Sequence, residues 1–438
     1  MPSTSFVARI TSGDRHRLLA PAEPAAAEAP AVLSLDPGQR FQTVRGFGFS
    51  LTGGSALLLS RMTPAKRRAL LEELFAPDGP IGVSCLRLTI GASDLGPRAF
   101  SYRDDPARPF DLFAGDPEVV PVLKEILAIA PDLLLIASPW SAPPWMKTND
   151  GFVGGELRPD RHADYADYLV SYLAAMRGHG IRIRAITVQN EPGNHKNDPS
   201  MVMSAAQQAE FVARHLAPAL AAAGLDVEIF CHDHNCDAPE YPLAVLAAAR
   251  AHFAGSAFHL YAGEPEAMAE VHARFPDKAV IFTEQWVGRA DDFGGALMWH
   301  GELVLVGALR NWAEIVLEWN LAADPDCKPH TPGGEPNCVG ALTLDGDRVE
   351  RNVACYLIAH AARFVPPGSV RIAAEGDLPH VAFVTPAGAI AALVVNSGDA
   401  PRALSLAVAG AASPAASPAV TLPPKSLATC VWTRGAPR

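Results

Sequence analysis

The sequence predicts an α/β chain: a (β/α)8 TIM barrel followed by a side all-β sandwich domain. Three observations carry that expectation. From Phe41 onward, short β-type runs alternate with longer helical patterns, the signature of βαβ units and a parallel sheet. The units return about every 30 to 50 residues, the pace of an eightfold barrel with inserted loops, with a doubly wound sheet as the competing arrangement. After Phe364 the pattern changes to short strands punctuated by Pro, Gly and Ser, which reads as a separate all-β module.

Taken in order, residues 20–31 form an Ala/Pro/Glu run with the composition of a flexible connection or exposed loop. Barrel strands are expected at 83–88, 133–137, 183–189, 227–231, 257–261, 279–283 and 315–319. Helices are expected between them at Pro64–Phe75, His162–Gly178, 205–223 and 241–253. The second module reads as strands at 370–373, 381–385, 389–396, 403–408 and 428–433. This places the barrel at 45–364 and the all-β module at 365–438.

The chain has 438 residues, with 36 Lys plus Arg against 47 Asp plus Glu, a formal charge of -11. Proteins that track phosphates carry a basic stripe, so nucleic acid is discounted as a partner. No run reaches the about 18 apolar residues of a membrane span, since the stretch 126–140 is cut by Pro131 and Asp132. The opening residues lack the apolar core of a secretory signal. A cytoplasmic location is the default expectation, or a periplasmic or secreted one if a leader has been removed. The cysteines are scattered without a C-x-x-C pair, which argues against a zinc cage or disulfide scaffold; Cys327 with Cys338 stays open as a pair. Nothing in the composition speaks to oligomeric state.

In a (β/α)8 barrel the active site forms just past the C-terminal strand ends. Two strands there end in unusual polar residues: 183–188 runs into Gln189-Asn190-Glu191-Pro192, and 279–282 into Thr283-Glu284-Gln285-Trp286. Residues 191 and 284 stand about three βα repeats apart, which puts the carboxylates across the barrel mouth from each other. Opposed carboxylates suit glycosidic cleavage: one protonates the leaving oxygen, the other attacks the anomeric carbon or activates water. The plain alternative is that each Glu caps a helix or pairs with an Arg. Trp140, Trp145, Trp319, His259 and Tyr261 also follow strands, and flat aromatic faces stack on sugars, although any one of them could equally be core.

At these residues the chain resembles the family 30 glycoside hydrolases, the group that includes glucosylceramidase. The landmarks are 42–48, Arg87 with Ser93-Asp94, Ser138-Pro139-Trp140, Gln189-Asn190-Glu191-Pro192, His259-Leu260-Tyr261, Thr283-Glu284, Glu318-Trp319-Asn320 and 364–371. They span 41–372, and the likeness resumes at 422–432. The resemblance implies a retaining mechanism without a cofactor on a (β/α)8 barrel, with a side all-β sandwich domain built from both chain ends, 1–44 and 365–438, and with Glu191 as acid/base and Glu284 as nucleophile. It also implies Asn190 on the sugar 2-hydroxyl, Tyr261 bonded to the nucleophile, Trp140 and Trp319 as pocket walls, and Arg87 and His259 within the substrate-binding set. The implied substrate is a β-glucoside or glycolipid of the glucosylceramidase kind, with a β-1,6-glucan or another β-glycoside as the alternative. Gly53 stands where glucosylceramidase has an acidic contact to the outer glucose hydroxyls, so sugar recognition is not carried across unchanged.

The acid/base would need a raised pKa, from burial and the charge of Glu284, while Glu284 would be kept ionised by Tyr261 and a cation such as Arg87. Cys231-His232-Asp233-His234-Asn235 has the residue types of a metal site, but strand alternation leaves only His232 and His234 on one side, so a structural or sugar-facing loop is expected and no metal. Gly53-Gly54 and Gly333-Gly334 read as turns, and His330 as a surface loop or the pocket rim. A catalytically silent carbohydrate-binding barrel is the alternative of another class.

Overall fold

The computed structural model describes residues 5–25, 30–409 and 416–433. Eight parallel strands close into a barrel: β1 (Gly46–Leu51), β2 (Cys85–Ile90), β3 (Leu134–Pro139), β4 (Ala185–Thr187), β5 (Glu228–Asn235), β6 (Gly255–His259), β7 (Ala279–Glu284) and β8 (Ala313–Asn320). Each pairs with the next, and β8 returns to β1, so the sheet is closed and not doubly wound. Strand β1 was not among the expected runs. Its Gly46 and Gly48 dilute the β pattern, and the pairing with Cys85 requires a glycine: a Cβ on Gly48 would lie 1.8 Å from the Cys85 carbonyl oxygen.

Helices Pro64–Phe75 and His162–Gly178 form as expected, because each presents one apolar face to the barrel wall. The helix expected at 205–223 is a continuous rod in which the turn Val212–Leu216 is π-type. Two strand ends differ from expectation. Strand β4 stops at Thr187, since Asn190 N–H donates to the Pro139 carbonyl and Glu191 N–H to the Asp233 carbonyl. Strand β6 stops at His259, leaving Tyr261 on the loop beyond it.

A small apolar layer fills the barrel: Cys85, Ile136, Ala185, Phe230, Ala257, Ile281, Ile315 and Leu317. Strand side chains alternate, so the residues two further along also point inward, one layer nearer the C-terminal mouth. Those are Arg87, Ser138, Thr187, His259, Thr283 and Trp319. The polar site is thus the next layer above a packed core.

The second module is a nine-stranded sheet into which both chain ends are woven. Ser5–Ser12 pairs antiparallel with Ser426–Thr433, and Ala31–Thr43 lies between Val370–Glu375 and Arg402–Val408. Its strands alternate: Ile390, Ala392 and Val394 enter the sandwich core, while Ala391, Leu393 and Val395 join the barrel's. The run 20–31 is not a free connection where it is described. Ala20–Pro21 pairs with Ser5–Ser12, and Pro24 bridges to Val420; residues 26–29 lie outside the described residues. The cysteines are all buried free thiols, Cys327 and Cys338 included. Among the described residues no helix is long and apolar enough to cross a membrane.

Candidate active site

At the C-terminal mouth of the barrel lies a cleft of about 370 Å³, walled in part by Asp94, Glu191, His234, Tyr261, Glu284 and Trp319. A larger cavity of about 610 Å³, lined by Arg45, Arg184 and Pro366 among others, opens beneath the N-terminal strand ends. That face of a barrel serves stability, and Glu191 and Glu284 are both at the other end, so chemistry selects the smaller cleft.

Arg87 organises the floor. It is fully buried, and its guanidinium donates to Glu284 Oε2 (2.5 Å), Asn190 Oδ1 (2.7 Å), Asp233 Oδ2 (2.8 Å) and Ser138 Oγ (3.1 Å). The rings of Trp140 and Trp319, stacked 5.1 Å apart, lie beside it, with the guanidinium carbon 4.8 and 5.6 Å from their centroids. Burial opposes its charge, but Asp233 and Glu284 outweigh burial and hold it cationic.

Asp233 is the counter-anion beneath the site. It accepts from Thr187 Oγ1 (2.5 Å) and Thr283 Oγ1 (2.6 Å), and faces His259 Nε2 at 3.2 Å. Burial works against its charge, yet Arg87 and His259 hold its carboxyl far below the ordinary range. It was not singled out as a site residue, and the expectation that His232 and His234 share a side is corrected here. Both His232 and Asp233 have positive φ, 71° and 61°, and the register of β5 shifts between His232 and His234. The flip turns Asp233 inward. His232 goes outward against Tyr241 and Phe258, while His234 faces Glu191.

His259 stands between the two glutamates. Its Nδ1 is 3.4 Å from Glu191 Oε1 and 3.8 Å from Glu284 Oε1, so those oxygens are at most about 7 Å apart, a bound that includes the retaining separation of about 5–5.5 Å. Glu284 also accepts from Tyr261 Oη (2.9 Å), and Glu191 from Asn194 Nδ2 (2.8 Å). Glu191 itself sits at φ 46°, the left-handed turn that aims its side chain into the cleft.

The electrostatics reverse the expected assignment in the empty site. Burial lowers the His259 pKa, but Glu284, Asp233 and Glu191 overcome this and lift it to about 9. Burial pushes Glu191 up, yet the bond and charge of His259, with His234 and Asn194, bring it net below its ordinary value. Glu284 is raised, by burial first and by Glu191 and Asp233, against His259 and Arg87. These directions are opposite to those expected for an acid at Glu191 and an ionised Glu284, and they make His259, with a carboxylate on each side, the favoured base of the three. Asp94, also on the cleft wall, is pushed up to about 7 by burial and by Glu284 and Glu191.

Of the eight residues singled out from the sequence, Glu191, Glu284, Tyr261 and Trp319 line the cleft. Arg87, Asn190, Trp140 and His259 are buried directly behind them. Asp94, Asn194, Asp233 and His234 were missed as site residues; Asp94 carried a signal within the Ser93-Asp94 landmark, and Asp233 and His234 carried one within the run 231–235, expected to be a structural or sugar-facing loop. Gly53 lies under the side chain of Asp116, whose Cβ would be 3.3 Å from a Cβ built there. Glu318, a third strand-end glutamate, turns away from the cleft to His300 (2.8 Å).

The profile of the glycosyl hydrolase family 30 TIM-barrel domain matches residues 44–364, and that of the family's beta sandwich domain matches 368–430. An endo-1,6-beta-D-glucanase of Aspergillus fumigatus is 31% identical over 81% of this chain and 79% of its own length. The lysosomal acid glucosylceramidase of Mus musculus is 27% identical over 85% of this chain and 79% of its own. A solved endo-beta1,6-glucanase structure superimposes with a TM-score of 0.91 at 34% identity, covering 98% of this chain and 99% of that one.

Proposed function

The chain belongs to glycosyl hydrolase family 30, and on that premise we propose that this glycosidase cleaves β-1,6-linked glucan chains by a retaining double displacement. The observation that carries the mechanism is the pair of carboxylates facing one imidazole nitrogen in the barrel mouth. The choice of linkage is supported by the endo-1,6-glucanases among the relatives, three of them 30 to 32% identical, against 27% for glucosylceramidase. The β-1,6-glucan alternative thus takes precedence over the glucosylceramide reading.

Glu284, held by Arg87 and Tyr261, attacks the anomeric carbon, and the bond to the leaving oxygen breaks as Glu191 protonates it. A sugar that displaces water from the cleft favours neutral partners over an ion pair, so the proton on His259 Nδ1 passes to Glu191 Oε1 as the substrate seats. Having given its proton to the leaving oxygen, Glu191 is a carboxylate once Glu284 is esterified, and it acts as the base that takes a proton from the attacking water. Asn190, fixed by Arg87, presents its amide N–H to the sugar 2-hydroxyl, a bond that tightens in the oxocarbenium-like transition state. Protonated Asp94 donates to an outer hydroxyl.

The test is a product profile on β-1,6-glucan, β-1,3-glucan, glucosylceramide and an aryl β-glucoside. The expected result is oligosaccharides from β-1,6-glucan, released first as the β-anomer by NMR. Turnover of glucosylceramide alone would overturn the linkage, and an α-anomer the retention.

A further inference from the structure

The acid/base wall of the cleft carries three metal-ligand side chains that the glycosidase chemistry does not require together. Ligand atoms of Glu191, His234 and His259 all lie within 4.8 Å of one another, with His259 Nδ1 and His234 Nδ1 at 3.4 and 3.8 Å from the same oxygen, Glu191 Oε1. Zinc bonds of about 2.0–2.2 Å in a tetrahedron hold ligand atoms about 3.3–3.5 Å apart, so the two nitrogens are within a few tenths of an ångström of that spacing from Glu191 Oε1, and the widest separation in the trio, up to 4.8 Å, closes by roughly 1 Å on binding.

Two further features suit a metal. The Nδ1 of His234 is buried without a hydrogen-bond partner, a lone pair or N–H aimed at the carboxylate with nothing to bond. The other nitrogen of His259 faces the carboxylate of Asp233 at 3.2 Å, the carboxylate–histidine arrangement that orients and strengthens a metal-binding imidazole. Glu191 and His234 line the cleft itself.

We propose that Glu191, His234 and His259 form a binding site for a borderline transition cation such as zinc, which reversibly blocks the cleft. The metal takes the Glu191 oxygen that would protonate the leaving group and stands where the sugar must enter. His232, the other histidine of the sequence cluster, takes no part. The inhibition rests on the reading of Glu191 as acid/base; the binding does not.

The experiment titrates the chelator-treated protein with zinc against a chromophoric chelator, beside H234A and E191Q, and records the visible spectrum with cobalt in place of zinc. H234A removes a side chain whose ring nitrogen holds no partner, so it leaves no buried group unsatisfied, and E191Q keeps the shape. The expected result is one zinc per chain, bound at least about 10-fold more weakly by either variant, and tetrahedral cobalt bands in the unsubstituted protein only. Zinc binding unchanged in either variant, or absent from the unsubstituted protein, overturns the proposal. Turnover of β-1,6-glucan is measured first without metal. Failure of the glucanase reading appears there, whereas failure of the metal site appears as full turnover with zinc added.

Discussion

Removing one oxygen from Glu284 separates chemistry from folding. E284Q keeps the bond from Tyr261 and the packing, so turnover is lost while the melting temperature stays within a few degrees. A 2-deoxy-2-fluoro glycoside labels Glu284 in the unsubstituted enzyme, and a label found by mass spectrometry on another residue would overturn the assignment. E191A regains partial activity with azide and yields a β-glycosyl azide. Asp94 gives a pH test. Its folded pKa of about 7 lies above the unfolded value, so the native state binds the proton more tightly, and native stability falls as pH rises from about 4 to 7. D94N removes that penalty. Its melting temperature should equal the parent's near pH 4 and exceed it at pH 8, by an amount on the order of a few kcal/mol in stability; equal values at pH 8 would contradict the buried, neutral carboxyl. The carboxylates were legible from the sequence because each follows an apolar run. Asp233 was not, because only its left-handed backbone turns it inward against the alternation of β5.

Strand ends position these side chains, and glycine decides where strands can approach. G48A should destabilise the protein by several kcal/mol, since the new methyl meets the Cys85 carbonyl of the neighbouring strand and neither backbone can withdraw from the ladder. Thermal unfolding reads this, and an unchanged midpoint would mean that β1 and β2 are not paired as described. The same glycines explain why β1 was absent from the expected strands: a residue selected for lacking a side chain carries no β signal. Helices were the most legible elements, as Pro64–Phe75 and His162–Gly178 illustrate, because their periodicity repeats over several turns. Strand ends were less so. At β4 the carbonyls of Pro139 and Asp233, from neighbouring strands, take up the N–H groups of Asn190 and Glu191, partners that are not local in sequence.

Barrel and sandwich share one apolar surface, and this makes them a single folding unit. Phe383 is buried in the barrel-side core although it belongs to the sandwich sheet. His360, on the helix Val353–Ala362, reaches Thr429 Oγ1 (2.8 Å) and Thr11 Oγ1 (2.9 Å) and so joins both chain ends to the barrel. F383A should cost about 3–5 kcal/mol and lower one shared calorimetric transition. Two transitions, only one of them shifted, would mean that the modules unfold independently. Periodicity and the order of polar strand ends pointed to the second module, to the two opposed glutamates and to a parallel sheet whose closure into a barrel competed with a doubly wound arrangement, because those features are written in local patterns of apolar and polar residues. The raised pKa of His259, the Arg87–Asp233 pair under the site and the meeting of His234 with Glu191 depended on the closed barrel. Closure brings charges from strands distant in the chain within a few ångströms in a space that excludes water, and there their mutual fields outweigh the intrinsic preference of each side chain.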